Sequence, residues 1–252
     1  MLELQDAAVR LGGRPALDGA SLQVGPGEVV GVVGPNGAGK TTLIRAALGL
    51  VPLDRGAARL GGEPVARLDP RRRAERVAYL PQDRRVAWGL PAWRIAALGA
   101  PFASPENAGR RAREALTRVG LEALSERSVF DMSGGERARV LLARLLVTGA
   151  PLLLADEPVA GLDPDAQLAA LELLTEEARR GAGVLLTLHD LSLAVRACDR
   201  LVVLDRGRVV AEGAPAEALT PGVLAAVFAL EGAVRDTPEG PVVAARRRRR
   251  TA

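Results

Sequence analysis

The stretch Gly34-Pro35-Asn36-Gly37-Ala38-Gly39-Lys40-Thr41-Thr42 constrains this chain more than any other. It fits Gly-x-x-x-x-Gly-Lys-Ser/Thr, with Gly34, Gly39, Lys40 and Thr41 at the fixed positions. A loop of this kind turns backbone N–H groups inward, and its glycines let the chain approach a phosphate with no Cβ in the way. The helix that follows starts at its positive end, which favours an anion. Lys40 can reach the β- and γ-phosphates of a nucleoside triphosphate, and the Thr41 hydroxyl can ligate Mg²⁺. The flanks agree. Val29 to Val33 is a short β-branched run that predicts a buried parallel strand, and Leu43 to Leu50 predicts a helix closed by Gly49 and Pro52. Lys40 is the only lysine among 34 Lys and Arg residues. Arginine serves everywhere else, but its planar fork does not replace a compact ammonium on a flexible stem. That choice argues for a phosphate site over a glycine-rich turn that merely contains a lysine.

A second pattern lies further on. Leu152-Leu153-Leu154-Ala155-Asp156-Glu157 is an apolar run followed by two acids. A buried strand ending in Asp at the tip of a parallel sheet places that carboxylate beside the phosphate loop, where it can hold Mg²⁺ directly or through water. Glu157 is then free to act as a base on water attacking the γ-phosphate. His189 is the only histidine and follows another apolar run, Val184 to Leu188. A lone histidine is usually structural, but this one falls at a strand end on the edge where open α/β sheets bind ligands.

Strands alternate with helices along most of the chain, which predicts a mainly parallel sheet with helices on its faces. Residues 2–33 read as strands, with a turn at Gly12-Gly13 and a short polar break between Leu4 and Val9. Between Gln82 and Asp131 the pattern becomes helical. Ser104-Pro105-Glu106 starts one helix, Gly120 stops it, and Ser133-Gly134-Gly135-Glu136 has capping-box spacing for another running to about Val147. Asp163-Pro164 caps a long helix ending at Arg180-Gly181. Short helices follow Pro215, then a tail without periodicity.

Composition narrows the setting. Hydrophobic residues make up 48% of the 252 and aromatics 2%, so the core must be Leu, Val and Ala. The single Cys198 precludes a disulfide within the chain and fits a reducing compartment. The first residues predict no signal peptide, and no apolar run reaches the roughly 18–20 residues of a membrane span. The net charge of +4 belongs to one place: without the five arginines Arg246 to Arg250, 29 positive residues face 30 negative ones. A near-neutral body does not look like a nucleic-acid surface. The tail reads as a disordered, solvated run, with contact to anionic lipid or nucleic acid as the alternative.

Taken in order, these residues resemble the ATP-binding subunits of ABC transporters over nearly the whole chain. Gly34 to Thr42 is the phosphate loop. Gln82, in Tyr-Leu-Pro-Gln, resembles the Q-loop glutamine, and Met132-Ser133-Gly134-Gly135-Glu136 the signature, with Met in place of the usual Leu. Ala160-Gly161-Leu162-Asp163 is similar to the D-loop, and His189 to the switch histidine. The resemblance implies an α/β phosphate-loop NTPase fold with a mainly parallel sheet, an antiparallel β subdomain and an α-helical subdomain inserted over about residues 83–150. It implies one ATPase domain over residues 1–240, with 241–252 as the basic tail. ATP and Mg²⁺ are the implied cofactors, with Thr41, Gln82 and Asp156 toward the metal. Lys40, Gln82, Glu157 and His189 would serve hydrolysis. Two copies would pair head to tail, each ATP closing between Lys40 of one and Ser133 and Gly135 of the other, with Gly134, Glu136 and Asp163 at the same seam.

The implied partners are therefore a second copy of the chain, transmembrane permease subunits and, indirectly, a substrate-binding protein outside the membrane. The implied place is the cytoplasmic face of the cell membrane, and no nucleic-acid partner is expected. Arg76 to Gln82 and Ala96-Ala97-Leu98-Gly99 resemble importer ATPases for iron–siderophore complexes, haem or cobalamin. Ala100, Pro101 and Phe102 depart from that pattern, which usually continues with Arg and a later His. The family usually stacks adenine on an aromatic residue about where Leu11 falls, and this chain has no aromatic before Tyr79. Leu11 would give apolar contact and weaker binding. The competing function is a soluble ABC ATPase acting on nucleic acid or ribosomes. Only the arginine tail favours it, since the chain has one phosphate loop and no sustained heptads.

Overall fold

The computed structural model describes residues 1–248. The chain begins with β1 (Leu2–Leu11) and β2 (Arg14–Val24), joined by Gly12-Gly13 with both glycines at positive φ. Next come β3 (Val29–Val33), α1 (Lys40–Ala47), β4 (Arg55–Leu60), β5 (Glu63–Pro64), α2 (Pro70–Arg76) and β6 (Val77–Leu80). Three helices follow: α3 (Ala92–Ala97), α4 (Pro105–Arg118) and α5 (Gly134–Val147). Then β7 (Leu152–Asp156), α6 (Pro164–Arg179), β8 (Gly183–Thr187), α7 (Leu191–Ala197), β9 (Arg200–Asp205) and β10 (Arg208–Gly213) complete the alternation. The chain closes with α8 (Pro215–Ala218), α9 (Pro221–Phe228), β11 (Leu230–Arg235) and β12 (Val242–Arg247).

Two main sheets carry the fold. The first is antiparallel, in the order β2-β1-β4-β5. The second runs β10-β9-β3-β8-β7-β6, parallel throughout except for the edge strand β10. Every residue of β3, β7 and β8 is buried, as continuous apolar runs covered on both faces should be. Because β3, β8 and β7 are neighbours, the loops that leave their C-terminal ends converge on one edge. That edge receives the phosphate loop, Glu157 and His189.

The polar break expected inside the first strand is a bulge within one continuous strand. Register shifts between Leu4 and Ala7, and Asp6 takes a left-handed φ of 45°. The extra residue switches the buried face from Leu2 and Leu4 to Ala7 and Val9. A change of parity reads in sequence as an interruption.

Between β6 and β7, α3, α4 and α5 pack on one another around Ile95, Leu116, Val140 and Leu142. The α5 start carries the expected capping box, and Gly120 closes α4 at φ 69°. Neither α2 nor α3 is visible in the hydrophobic pattern. The segment of α2, PRRRAER, buries none of its residues, and α3 is six residues long.

The tail from residue 241, expected to be disordered, is a strand as far as Arg247. β12 pairs with β11 from Leu230↔Arg247 to Arg235↔Val242. The Val243 N–H donates to Ser192 Oγ at 3.1 Å, which ties the hairpin to α7. Pairing with a preceding strand supplies the hydrogen bonds that a composition dominated by arginine does not announce. Arg249 to Ala252 lie outside the described residues, so the last two arginines of the run are not described. Among the described residues, no helix is long and apolar enough to cross a membrane.

Candidate functional site

The phosphate loop leaves the end of β3 and is held against its neighbours by backbone contacts. A Cβ on Gly34 would lie 2.1 Å from the Leu204 carbonyl oxygen, and one on Gly39 would lie 2.5 Å from that of Ala16. Gly39 is also left-handed, at φ 105°, so glycine is required there for both space and conformation. It is the N-cap residue of α1, and no side chain caps that helix start. The first amides of α1 are therefore left for an anion.

Lys40 is nearly buried, and its Nζ donates to the carbonyls of Gly34 at 2.8 Å and Pro35 at 3.2 Å. Burial lowers its pKa from the ordinary lysine value, while Glu157 and Asp156 pull the other way.

A cleft of about 620 Å³ opens over the loop. Its walls include Asn36 to Thr42 along the loop, with Gln82, Glu157 and His189 opposite. Four segments far apart in sequence thus meet there. Pro35 is half-buried, and Gly34 lies buried beneath the loop. Leu11 stands at the rim, about half exposed. Arg14, Pro15 and Ala16 line the same rim. Sequence reasoning missed these three, although the Gly12-Gly13 turn carries them there opposite Leu11.

Asp156 and Glu157 do different work despite being adjacent. Asp156 is fully buried, and its Oδ1 accepts from the Thr187 hydroxyl at 2.7 Å. Its Oδ2 has no partner within the protein. A buried carboxylate oxygen without a donor costs free energy unless something else satisfies it. Among the described residues, no three His, Cys, Asp or Glu side chains gather into a metal cluster. Asp156 is not among the residues lining the cleft, but its unpartnered Oδ2, the Thr41 hydroxyl and the Gln82 side chain are oxygen donors of the kind that suits Mg²⁺.

Glu157 follows the strand and takes a left-handed φ of 54°, a conformation that costs a non-glycine residue about 1–2 kcal/mol. The turn points its carboxylate into the cleft, where Oε1 lies 2.5 Å from His189 Nε2. Its backbone is held at both ends. The N–H donates to Thr187 Oγ1 at 2.8 Å, and the carbonyl accepts from Arg84 at 2.5 Å.

Ser133, Gly134, Gly135 and Glu136 do not line this cleft. They start α5 on the helical part of the molecule, with Ser133 and Gly134 exposed. Gly134 borders a separate groove of about 780 Å³ whose walls include Arg84, Phe130, Arg137 and Gly161. Asp163 is absent from the cleft lining as well. It caps α6, accepting from the Ala166 N–H at 2.9 Å.

A model of the ABC transporter family matches residues 17–160, which span the phosphate loop, the signature turn and both acids. The chain belongs to the ABC transporter family. As a member it binds and hydrolyses ATP. It is 41% identical to a hemin import ATP-binding protein of Pseudomonas aeruginosa over 98% of this chain and all of that one. It is 39% identical to a cobalamin import ATP-binding protein of Halobacterium salinarum over 94% of this chain and 61% of that one. Among solved structures, an ATP-binding subunit of an ABC transporter superposes with a TM-score of 0.78 at 33% identity, covering 85% of this chain and 90% of that one. A dimeric ATP-binding cassette in a post-hydrolysis state, bound to ADP and phosphate, also gives 0.78, at 26% identity over 85% of this chain and 99% of that one. In this ABC cassette the cleft over the phosphate loop and the groove bordered by Gly134 are thus separate.

Proposed function

We propose that this chain is the ATP-hydrolysing subunit of an ABC importer and that it works as a head-to-tail pair. One observation carries the reading. Lys40, Gln82, Glu157 and His189 share a cleft, while none of Ser133 to Glu136 lines it and Gly134 borders a separate groove. A second copy brings its Ser133 and Gly135 over the first copy's cleft, and the arrangement repeats by symmetry. The dimeric cassette with ADP and phosphate supports such a pairing.

In this reading the loop amides and Lys40 hold the β- and γ-phosphates. Thr41, Gln82 and Asp156 would hold Mg²⁺, which when bound neutralises charge on the phosphate oxygens. Glu157 accepts a proton from a water whose oxygen bonds to the γ-phosphorus. The bond to the bridging oxygen breaks, and ADP leaves with phosphate. His189, on Glu157 Oε1, orients that carboxylate and meets the γ-phosphate side of the cleft. Hydrolysis removes the phosphate that joins the copies, so the pair opens. Gln82, where the helical part begins, passes the motion to transmembrane permease subunits. The working place is the cytoplasmic face of the membrane, with a substrate-binding protein on the far side.

The cargo reading is an iron–siderophore, haem or cobalamin-type ligand, and the printed functions of the similar hemin and cobalamin import proteins support its haem and cobalamin members. Two experiments test the proposal. Glu157→Gln should bind ATP, accumulate as a dimer on sizing and hydrolyse about 10²–10⁴-fold more slowly. A monomer under saturating ATP would overturn the pairing. The chain co-purified with its permease and placed in liposomes should be stimulated by hemin or cobalamin with the matching binding protein. Stimulation by neither, with stimulation by an unrelated cargo, would overturn the cargo reading.

A further inference from the structure

Arg84 lies two residues beyond Gln82, in a segment for which neither the loop motifs nor the resemblance assigns a role. Its guanidinium reaches across to the turn after β7. Nη2 donates to the Glu157 carbonyl and Nη1 to the Ala160 carbonyl, both at 2.5 Å. The two acceptors span the turn that the Ala160 N–H closes on the Glu157 carbonyl at 3.2 Å. A planar fork can bridge two carbonyls this way, and a lysine ammonium cannot do so with the same geometry. The side chain is half-buried, and desolvation lowers its pKa while nearby Glu157 opposes that. Arg55, Arg71, Arg110 and Arg208 form exposed ion pairs with carboxylates, and Arg73 bridges two carbonyls, those of Leu48 and Leu68, but neither belongs to the turn after β7.

The geometry points to Arg84 as a positioning residue for ATP hydrolysis, one that ties the segment after Gln82 to the orientation of the Glu157 carboxylate. The left-handed Glu157 is pinned through its N–H by Thr187 and through its carbonyl by Arg84. Thr187 is part of the buried sheet and holds Asp156 as well. Arg84 is the clamp that can move, because it rides on the segment leaving Gln82. A shift of that segment changes the hold on the Glu157 peptide and so the aim of its side chain. The Ala160 bond carries the same shift into the turn ahead of Asp163. This inference rests on the reading of Glu157 as the base.

The test uses the purified full chain, with single-turnover ATP hydrolysis, ATP affinity and Tm measured for Arg84→Ala, Arg84→Lys and Glu157→Gln. Misplacing a catalytic group by about 1 Å can cost on the order of 10²-fold. Arg84→Ala should therefore lower the single-turnover rate by roughly ten- to a hundredfold. ATP affinity and Tm should stay near the unaltered values, and Arg84→Lys should recover only a minor part of the rate. If Arg84→Ala does not fold, the same split in Arg84→Lys carries the test. An unchanged rate, or a rate loss matched by equal losses of affinity and Tm, overturns the inference. Failure of the underlying reading looks different: Glu157→Gln would then retain hydrolysis whatever Arg84 does.

Discussion

Two helices in this chain start at glycine-rich turns, and the two starts are finished in opposite ways. At α1 the N-cap is a left-handed Gly39, no side chain caps the helix, and Lys40 is drawn into the loop. At α5 the N-cap is Ser133. Its hydroxyl accepts from the Glu136 N–H at 3.2 Å, and the Glu136 carboxylate accepts from the Ser133 N–H at 2.6 Å. The first start keeps its amides for a ligand and adds a cation. The second satisfies two of its own donors and adds an anion. Both starts are the positive end of a helix, but only the first leaves its opening amides without a side-chain cap. On the proposed reading, the α5 start closes over phosphate already held at the α1 start of a second copy.

The sharpest way to break this contrast is to strip the cation from the first start. Lys40→Ala should abolish turnover and reduce ATP binding below detection in a fluorescent-nucleotide titration. Retained binding would mean that the α1 amides suffice alone. Altering the second start should leave that titration almost untouched. Ser133→Arg should bind ATP as a monomer with little change in affinity yet form no ATP-dependent dimer by light scattering. A loss of monomer affinity would make the two starts parts of one cleft.

The rim of the first site offers a smaller effect of opposite sign. Leu11→Tyr should tighten ATP binding by roughly ten- to a hundredfold, since stacking a base on an aromatic ring is worth about 1–3 kcal/mol and 1.4 kcal/mol is tenfold. An unchanged affinity would show that the base does not lie over residue 11. The smallest expected effect is in stability. The bonds from Ser133, chiefly its backbone N–H, hold the Glu136 carboxyl below the usual range. A depressed carboxyl pKa contributes stability that is present above the unfolded value near 4.3 and lost as pH falls through the folded one. Glu136→Ala should therefore lower Tm by a few degrees at most near pH 7, with the gap narrowing below about pH 4. A gap independent of pH would mean that the carboxylate charge plays no part in the cap.

How legible these features were depended on how local their causes are. The strand Val29–Val33 shows as an unbroken apolar run, and the α5 capping box and the Asp163 cap of α6 are bonds between residues three apart, so each is visible in the chain as written. The helix expected from Leu43 starts at Lys40 instead, because a glycine cap carries no side-chain signal. The bulge at Asp6 was read as a break, since a one-residue change of parity hides a continuous strand. The β11–β12 hairpin leaves no such trace, because neither Leu230–Arg235 nor Val242–Arg247 alternates apolar with polar residues.

By itself the amino-acid sequence determined the family, the phosphate loop and the order of the chemical groups, because spacing along a chain is enough to specify a loop, a cap or a strand end. Only the tertiary structure decided which of those groups share a cleft. Sheet order β3-β8-β7 brings Lys40, His189 and Glu157 to one edge, and the sequence separations of 32 and 73 in the His189–Glu157 and Arg84–Glu157 bonds leave no periodic trace. The same folding turned Ser133 away from that cleft. Side-chain direction across such distances is set by packing, and packing is a property of the whole chain.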